Sequence, residues 1–492
     1  MSTLKSSLFA GLDLGTSSCK LLVIDEAGRK RASSVAGYST SHGSDGTCTQ
    51  RPSDWLRAVA RAFNALEPDV AGAVDAVAVT APAHVVALLD GDGQPLAPSL
   101  LAHDRRPTLV AEEMRSRLGE LIFDRTWVTL TAGWCLPQLR WLRSQLGSDW
   151  KRLSLVLPQK DYVRHAMTGG VATDPTDATG TALYDPLARD WVGRLLQAAG
   201  VARSQMPPIA SPQDIGGHVK ASWARSTGLR QGTPVLVGAT DTALELLSLG
   251  MRDAGTLVKI ASTGTVVDVT AAARPHPLLM TYPHVVKDRW YSVAVTNFAA
   301  SSRAWIADVL ALDVSSPRGV AAFDRLARRA VPGSKGLLFL PFLAGERTPY
   351  WDSRLRGGFI GLTAAHGRAE MARAVLEGVA FALRACAEVT GLVRAECCLT
   401  GGGLASPLWR KILVSTLGLT GTAITPHGPG YGAALLSRSL RGETFEPPSV
   451  AVRRAITVLP DDDWAVTYDR LFPLYHDAAM SIMPLSHSLD RL

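Results

Sequence analysis

Residues 8–25 read LFAGLDLGTSSCKLLVID. The apolar run Leu8–Asp13 is a strand pattern that ends on a carboxylate, and Leu14–Ser18 has the small, polar composition of a tight turn. Lys20–Asp25 is a second strand pattern. Together the three segments predict a β-hairpin with a polar tip.

The same pattern occurs again in the second half of the chain. Residues 257–269 read LVKIASTGTVVDV, with the tip Ser262–Thr265 between two apolar runs. Thr16 and Thr263 are separated by about half of the 492 residues. An internal duplication of one α/β lobe explains this spacing. We therefore expect a boundary near Leu249–Asp253, with one domain over residues 1–249 and another over residues 250–492.

Strand and helix patterns alternate through both halves, as expected of an α/β protein. The strand patterns are Ala76–Thr80, Val85–Leu89, Val235–Val237, Leu337–Phe342 and Cys398–Thr400, and the helical patterns are Trp55–Leu66, Leu136–Leu146, Glu370–Val389 and a helix from Trp464 onward. Asp461–Asp463 are placed to cap that last helix.

Composition excludes several classes of protein. Hydrophobic residues make up 47% and charged residues 19%, which excludes disordered, collagen-like and coiled-coil chains. The net charge of +7 is spread too thinly to indicate a nucleic-acid partner. The most apolar stretch, residues 70–89, is interrupted by Asp75, Pro82 and His84, so no membrane partner is expected. The six cysteines show no Cys-x-x-Cys spacing, which favours a reducing cytoplasm.

The sequence lacks one common nucleotide-binding motif and matches another only in part. No Gly-Lys dipeptide occurs, so a Walker A loop is excluded. Residues Gly428–Ala433 match Gly-x-Gly-x-x-Ala, but the acidic residue expected about 20 positions later is absent. A packed helix start is favoured there over a dinucleotide site.

The two hairpin tips offer another way to hold phosphate. Small residues let backbone N–H groups approach phosphate oxygens, and the hydroxyls of Thr16, Ser17 and Thr263 add donors. One such tip alone is better explained as a good turn. Two tips half a chain apart favour phosphate binding.

Two carboxylates follow apolar strands. Asp13 directly precedes the first tip, where it needs a cation or several donors, and Mg²⁺ bound through water would satisfy it. Asp241 follows the apolar run Pro234–Gly238 and precedes a helix. It is either the N-cap of that helix or a general base at the end of a strand.

Three further features are weaker when taken alone. Gly401–Gly403 follow a strand and leave a flat backbone surface on which a planar base could lie, although a tight corner has the same composition. His84 and Asp104 are polar residues in apolar surroundings, which are usually satisfied core groups.

The sequence resembles the FGGY carbohydrate kinases, which share the duplicated actin-like and hexokinase-like (ribonuclease H-like) α/β fold. The resemblance covers nearly the whole chain. Gly11–Ser17 and Ser262–Thr265 resemble the two phosphate motifs of the family, and Thr400–Gly403 resembles its adenosine motif. Gly238–Thr242 resembles the segment of the catalytic base. Gly357–Leu362 followed by Glu370–Glu377 matches the second family signature. Within the family, Phe339–Pro349, Lys160–Tyr162, Met167–Gly169 and Asp177–Thr181 are most similar to xylulokinases.

Departures from the family pattern fall on the expected sugar and phosphate sites. The sugar-contact segment reads Ala81–Val85 with His84 retained, and Thr242 replaces the Asn that usually follows the catalytic Asp. Ser262 replaces a Gly of the second phosphate motif, and Gln138 replaces a Lys of the first signature. These changes leave the identity of the sugar undetermined.

The resemblance implies an enzyme that transfers the γ-phosphoryl group of Mg-ATP to a hydroxyl of a ketopentose such as xylulose, with both substrates in a cleft between the lobes. The resemblance implies that Asp241 is the catalytic residue and that Asp13 binds the metal ion. The residues implied to bind ATP are Asp13, Gly15, Thr16, Ser17, Ser262, Thr263, Gly264, Gly401, Gly402 and Gly403. Those implied to bind the sugar are Ala83, His84, Asp104 and Thr242.

The sequence leaves several alternative functions open. One is a family kinase for another sugar or polyol, such as ribulose, erythrulose or glycerol. Another is a degenerate sugar-binding regulator, and a third is an actin-like ATPase that acts on a partner protein. The sequence does not determine the oligomeric state, and a homodimer is compatible with it.

Overall fold

The structure is a computed structural model that describes residues 7–392, 394–424, 428–442 and 455–491. Its strands are, in chain order, β1 (Leu8–Leu14), β2 (Ser18–Asp25), β3 (Lys30–Gly37), β4 (Ser41–His42), β5 (Cys48–Gln50), β6 (Val74–Ala81), β7 (Val86–Leu89), β8 (Ser99–Leu100), β9 (Leu155–Pro158), β10 (Tyr184–Asp185), β11 (Asp190–Trp191), β12 (Ile215–His218), β13 (Pro234–Leu236), β14 (Ala239–Thr240), β15 (Gly255–Ile260), β16 (Gly264–Thr270), β17 (Met280–Pro283), β18 (Trp290–Thr296), β19 (Leu338–Leu340), β20 (Gly358–Ile360), β21 (Glu396–Thr400), β22 (Thr420–Ala423) and β23 (Ile456–Val458).

The α-helices are α1 (Pro52–Asn64), α2 (Pro68–Gly72), α3 (Thr108–Thr126), α4 (Cys135–Leu146), α5 (Gln159–Thr168), α6 (Pro175–Thr179), α7 (Gly193–Ala199), α8 (Ala221–Thr227), α9 (Asp241–Ser248), α10 (Ala300–Val309), α11 (Pro317–Ala327), α12 (Arg368–Val389), α13 (Pro407–Leu417), α14 (Pro429–Arg438) and α15 (Asp462–Leu489). Within the described residues, no helix is long and apolar enough to cross a membrane.

The chain forms two compact units, and each contains more than one segment of sequence. The first unit consists of Met1–Arg252, Tyr282–Trp290 and His427–Arg453, and the second consists of Asp253–Thr281, Tyr291–Pro426 and Arg454–Leu492. The division into domains at residues 249 and 250 stays a prediction.

The first unit is built on a mixed sheet with the strand order β12-β13-β6-β1-β2-β3, and β14 also pairs with β6. The predicted hairpin is present, because β1 and β2 pair antiparallel from Leu8 opposite Asp25 to Leu14 opposite Cys19. On its other side β1 runs parallel to β6. Side chains of β1 are buried along the whole strand, as expected for a strand covered on both faces.

The second unit repeats this topology. Its sheet has the order β17-β18-β16-β15-β21-β22-β23, in which β15 pairs antiparallel with β16 and parallel with β21. The strand β22 is parallel to β21 and β23 is antiparallel to β22, just as β13 is parallel to β6 and β12 is antiparallel to β13. The two sheets therefore share one strand plan, which confirms the predicted duplication.

Small residues stand at the start of helix α14, and acidic residues stand at the start of helix α15. Gly428–Ala433 begins α14, and a Cβ added to Gly11 of β1 would lie 1.9 Å from the carbonyl oxygen of Gly430. The small residues therefore let the helix pack on the strand backbone, as the packed-helix interpretation predicted. Asp461 is the N-cap of α15 and accepts a hydrogen bond from the N–H of Trp464, as predicted, but the helix begins at Asp462, two residues before the predicted start at Trp464.

All six cysteines lie in described residues, are buried and form no disulfide. Burial raises the pKa of Cys19 and Cys397 to about 12. Thiols in this state are poor nucleophiles, because the reactive form is the thiolate.

Candidate active site

Three candidate residues, Asp13, His84 and Asp241, lie at or after the carboxyl ends of neighbouring parallel strands of the first unit. Thr80 of β6 is the register partner of Asp13 in β1 on one side and of Ala239 in β14 on the other. The next pair in register is Ala81 with Thr240. Since adjacent strands lie about 4.8 Å apart, the carboxyl ends of β1, β6 and β14 bring Asp13, the segment after Ala81 and Asp241 to one edge of the sheet.

Asp241 is the first residue of α9, and it is not the N-cap. That position belongs to Thr240, whose backbone is extended, so the N-cap interpretation of Asp241 is wrong by one residue. The Asp241 Oδ1 atom accepts a hydrogen bond of 2.7 Å from the N–H of Thr242, and the carboxylate is half-buried. A carboxylate in the first turn of a helix is favoured by the helix dipole.

The backbone that leads to Asp241 is held from two sides. Thr80 Oγ1 donates a hydrogen bond of 2.8 Å to the carbonyl of Ala239. The N–H of Thr240 donates a hydrogen bond of 2.9 Å to the hydroxyl of Thr176, at the start of α6. Asp241 therefore extends from a backbone with little freedom to move.

Asp13 is 6% exposed and carries its carboxylate beside the basic side chain of Lys20, with 3.8 Å between Asp13 Oδ2 and Lys20 Nζ. The described residues contain no group of three or more His, Cys, Asp or Glu side chains that could hold a metal ion by themselves. A single carboxylate at a strand end fits Mg²⁺, which usually takes one or two protein carboxylates plus water and substrate phosphates. Asp13 is the residue that would hold such an ion.

The tip of the first hairpin is exposed at Thr16 and Ser17, while its carbonyl groups are bonded on the inner side. The Tyr38 hydroxyl donates to the carbonyl of Gly15. Gln50 Nε2 donates to the carbonyl of Thr16 at 2.7 Å, and the N–H of Tyr38 donates to the carbonyl of Ser17 at 3.0 Å. The N–H of Gly15 is also bonded, to the carbonyl of Ser18 at 3.0 Å, so Thr16 and Ser17 carry the exposed hydroxyl groups that an anion could reach.

The tip of the second hairpin is fixed differently. In the second unit, the N–H of Ala299 donates to the carbonyl of Ser262 at 2.9 Å, and the N–H of Ala300 donates to the carbonyl of Ala261 at 2.8 Å. Both donors lie at the start of α10. Ser262 is exposed, whereas Gly264 is buried. A Cβ on Gly264 would lie 2.7 Å from the Thr296 methyl group, so this glycine is required by packing within the unit.

The glycine cluster after β21 contains residues in very different surroundings. Gly401 has φ +99°, and a Cβ there would lie 2.3 Å from the carbonyl oxygen of Ile260. Gly403 is buried and meets the side chain of Ile260. Gly402 is exposed, and a Cβ there would have no atom within 4 Å. Only Gly402 therefore presents an open backbone surface.

The side chain of His84 contacts a polar group and an aromatic ring of the first unit. Its Nε2 is 3.2 Å from the hydroxyl of Tyr282, and its ring packs edge-on against Trp134 with 4.3 Å between centroids. The backbone of His84 has φ +70°, which is uncommon for a residue with a side chain. Ala83 packs against Gly180, where an added Cβ would lie 2.9 Å from the Ala83 methyl group.

Asp104 is 1% exposed and has both carboxylate oxygens engaged. Oδ2 accepts from the N–H of Cys48 at 2.9 Å and from Arg106 at 2.7 Å, and Oδ1 accepts from the Arg106 backbone and side chain. These bonds give Asp104 a clear role in ordering the loop. Direct sugar contact by Asp104 stays a prediction.

The residues that support these candidates are not among those predicted from the sequence. Tyr38 and Gln50 hold the first tip, Thr176 holds Thr240, and Tyr282 contacts His84. Thr176 adjoins the motif Asp177–Thr181, which was a partial signal. The other three act across long sequence separations, and no local pattern marks them.

Comparison with known proteins now gives the class of the enzyme. The family model for the N-terminal domain of the FGGY family of carbohydrate kinases matches residues 8–248, and the model for the C-terminal domain matches residues 256–438. The protein is a carbohydrate kinase. More particularly, the chain belongs to the FGGY family of carbohydrate kinases, and its two-domain fold and its use of ATP follow from that membership.

Individual relatives are similar over nearly their whole length. The chain is 32% identical to a xylulose kinase from Klebsiella pneumoniae, over 87% of this chain and 89% of the relative. The crystal structure of a xylulose kinase from Rhodospirillum rubrum matches with a TM-score of 0.89 at 26% identity, covering 98% of this chain and 100% of that chain. A gluconate kinase from Lactobacillus acidophilus matches with a TM-score of 0.90 at 25% identity, covering 97% and 98%.

Proposed function

We propose that the protein phosphorylates a hydroxyl group of a ketopentose, with xylulose as the first candidate, at the expense of Mg-ATP. The observation that carries this proposal is the register of β1, β6 and β14, in which Asp13 near the end of β1, the His84 segment after β6 and Asp241 after β14 lie at one edge of the sheet. The similarity to xylulose kinases supports the choice of sugar.

Asp241 is the proposed general base. Its carboxylate accepts the proton of the sugar hydroxyl as the oxygen attacks the γ-phosphorus in line. The hydrogen bonds at Ala239 and Thr240 fix the backbone from which the carboxylate extends, which favours the orientation that such a step requires. Thr242, the next residue, donates its N–H to Asp241 and would help to shape the sugar site.

The nucleotide is assigned to the two hairpin tips and the glycine cluster. In the first unit, Asp13, Gly15, Thr16 and Ser17 would bind phosphate and its magnesium ion, which neutralises phosphate charge when bound. In the second unit, Ser262, Thr263 and Gly264 form the other phosphate tip, and Gly401–Gly403 would support the adenosine. Hydroxyl and backbone donors that are already oriented stabilise the charge that develops during transfer.

The sugar is assigned to His84, with Ala83, Asp104 and Thr242 shaping its site. An imidazole that is fixed by Tyr282 and Trp134 can exchange a hydrogen bond with a sugar hydroxyl at little entropic cost. We place the reaction in the cytoplasm, since six buried thiols without a disulfide fit a reducing compartment.

The test is ADP release from the purified protein with Mg-ATP, against a blank without sugar. The panel contains ketopentoses, aldopentoses, tetruloses, gluconate, glycerol and other polyols, and Asp241→Asn serves as the control for contaminating kinases. Turnover with D-xylulose supports the proposal in full. Turnover with a different compound only would support a kinase of another specificity. No turnover with any compound, in a protein that still binds ATP, would favour the sugar-binding regulator.

A further inference from the structure

A cluster of buried charges lies in the first unit and has no part in the roles assigned so far. It consists of Lys160, Asp161 and Arg164 on α5 together with Asp174 and Asp177 at α6, and is called the Lys160 cluster below. The side chain of Lys160 is 0% exposed. Burial of charged groups is costly, and apolar residues of similar size would often stabilise a fold more. The cluster therefore calls for an explanation other than stability.

Lys160 is the centre of the cluster. Its Nζ lies 2.8 Å from Asp161 Oδ1, 3.0 Å from Asp174 Oδ1 and 3.2 Å from Asp177 Oδ2. Arg164 adds a second positive charge, 2.9 Å from Asp161 Oδ1. Two cations thus face three carboxyl groups.

The charges balance if one carboxyl group is neutral. Burial raises the pKa of Asp177 well above its ordinary value, and the neighbouring carboxylates raise it further against the effect of Lys160. Burial lowers the pKa of Lys160, but the three carboxyl groups outweigh burial and raise it. A protonated Asp177 leaves Lys160 and Arg164 paired with two carboxylates, so the cluster as a whole is neutral.

The Lys160 cluster is bonded to both ends of the backbone segment that precedes Asp241. Lys160 Nζ donates a hydrogen bond of 3.2 Å to the carbonyl of Val237. Asp174 Oδ2 accepts a hydrogen bond of 2.6 Å from the hydroxyl of Thr176, and that hydroxyl accepts one of 2.9 Å from the N–H of Thr240. One rigid ionic group therefore fixes the residues on either side of the bend that leads into α9.

We propose that Thr176, oriented by Asp174 and Lys160, is a positioning residue that fixes the N–H of Thr240 and thereby the carboxylate of Asp241. Thr176 has the one neutral side chain in this chain of bonds, and its hydroxyl can be removed while Asp174 stays paired with Lys160. This inference rests on the proposed role of Asp241 as the base. A displacement of about 1 Å at a reacting group can cost on the order of 100-fold in rate.

The test uses three variants of the full chain. Thr176→Val removes the hydroxyl at nearly constant volume, and Thr176→Ser restores it. Thr173→Val is the matched control, because Thr173 is also fully buried and its hydroxyl has no hydrogen-bond partner in the described part of the chain. Each variant is assayed well below its Tm with the compound that gives the highest turnover in the panel.

We expect Thr176→Val to lower kcat about 10- to 100-fold, with the KM for ATP and for the sugar within about twofold of wild type. Thr176→Ser should keep most of the activity, and Thr173→Val all of it. A Thr176→Val enzyme within twofold of wild-type kcat would overturn the proposal. So would a loss that appears in KM, or an equal loss in Thr173→Val.

Asp241→Asn separates this proposal from the proposed function. If Thr176 acts through Asp241, the double variant is no slower than Asp241→Asn alone, because residues that act as a unit are not additive. A further equal drop would indicate a general structural effect and overturn the positioning role. An active Asp241→Asn enzyme would instead show that the base is wrongly assigned.

Hydrogen exchange gives a readout that needs no substrate. Amides in a peptide over residues 237–241 should exchange faster in Thr176→Val than in Thr176→Ser or Thr173→Val, since the Thr240 N–H loses its acceptor. Equal exchange in all three variants would overturn the proposed link between Thr176 and Thr240, whatever the sugar is.

Discussion

The imidazole Nε2 of His84 lies 3.2 Å from the hydroxyl of Tyr282, although the two residues are 198 positions apart in the sequence. Both belong to the first unit, because the chain returns to it over Tyr282–Trp290. His84 also packs edge-on against Trp134. These two contacts restrict the orientation of the imidazole, on which the proposed sugar-binding role of His84 depends.

The first prediction concerns this pair. Tyr282→Phe removes the hydroxyl and keeps the ring, so the imidazole loses one orienting partner. We expect the KM for the sugar to rise about threefold in Tyr282→Phe and about tenfold in His84→Ala, the size of one or two lost neutral hydrogen bonds. Steady-state kinetics measure both constants. A rise in the KM for ATP, with that for sugar unchanged, would show that His84 has been assigned to the wrong substrate.

The second prediction concerns the base. Asp241→Asn keeps the shape of the side chain and the acceptor for the Thr242 N–H, but it cannot take a proton. We expect kcat to fall by roughly 100-fold or more, with the affinity for ATP nearly unchanged. Single-turnover assays and isothermal titration with ATP check the two parts. An Asn variant that keeps more than a tenth of wild-type kcat would rule out Asp241 as the base.

The third prediction compares neighbouring glycines of the adenosine motif. Gly401 has φ +99° and faces the Ile260 carbonyl, so Gly401→Ala should lower the free energy of unfolding by roughly 2–4 kcal/mol. A Cβ on Gly402 would have no atom within 4 Å, so Gly402→Ala should change the free energy of unfolding by less than about 0.5 kcal/mol. Thermal unfolding distinguishes the two.

Gly402→Ala then becomes the informative variant for nucleotide binding. If adenosine lies on this surface, the added methyl group should raise the KM for ATP about tenfold in a protein of normal stability. An unchanged KM for ATP in a folded Gly402→Ala enzyme would remove Gly402 from the nucleotide site.

The fourth prediction concerns the first hairpin tip. Gln50 Nε2 donates to the carbonyl of Thr16, and Gln50 Oε1 accepts from the indole N–H of Trp55 at 2.8 Å. Gln50→Glu keeps the acceptor but replaces the donor with a second acceptor, which repels that carbonyl and places negative charge near bound phosphate. We expect the KM for ATP to rise about tenfold, with that for the sugar unchanged. Equal effects on both substrates would argue against a specific role in phosphate binding.

The sequence predicts the hairpins and their repetition because both depend on local patterns. Apolar runs around a small polar tip form a hairpin wherever the rest of the chain lies, and the two copies share one strand plan in the structure. The carboxylates at the strand ends are predictable for the same reason. The interpretation of Asp241 as an N-cap is wrong by one residue, because both Thr and Asp are good N-cap residues and only the backbone angles show that Thr240 holds this position.

The supporting residues could not be predicted, since their partners are distant in sequence. Tyr38 meets Gly15 only because β2 and β3 pair, and Thr176 meets Thr240 only because α6 packs beside β14. Asp104 shows the reverse case: its burial was expected, but its bonds to Cys48 and Arg106 identify a role in ordering a loop. Polarity in an apolar segment indicates that a partner exists, and the fold decides which one.

The last prediction concerns pH and a buried carboxyl group of the second unit. Glu346 is 2% exposed, and burial raises its pKa to about 7 despite hydrogen bonds from Thr296, Asn297 and Arg347. A raised pKa means that the folded protein binds this proton more tightly than the unfolded chain does. The contribution of Glu346 to stability is therefore largest at low pH and is lost as the pH rises from about 4.5 to about 7.

Glu346→Gln removes this titration and keeps the shape. The amide oxygen can still accept from the N–H groups of Asn297 and Arg347, and the amide nitrogen can donate to the hydroxyl of Thr296. We expect the stability of wild type relative to Glu346→Gln to fall by about 2–3 kcal/mol between pH 5 and pH 7.5. Denaturation of both proteins in urea across that range measures the difference, in which all other titrating groups cancel. Parallel pH profiles for the two proteins would show that Glu346 is already ionised in the fold at pH 5.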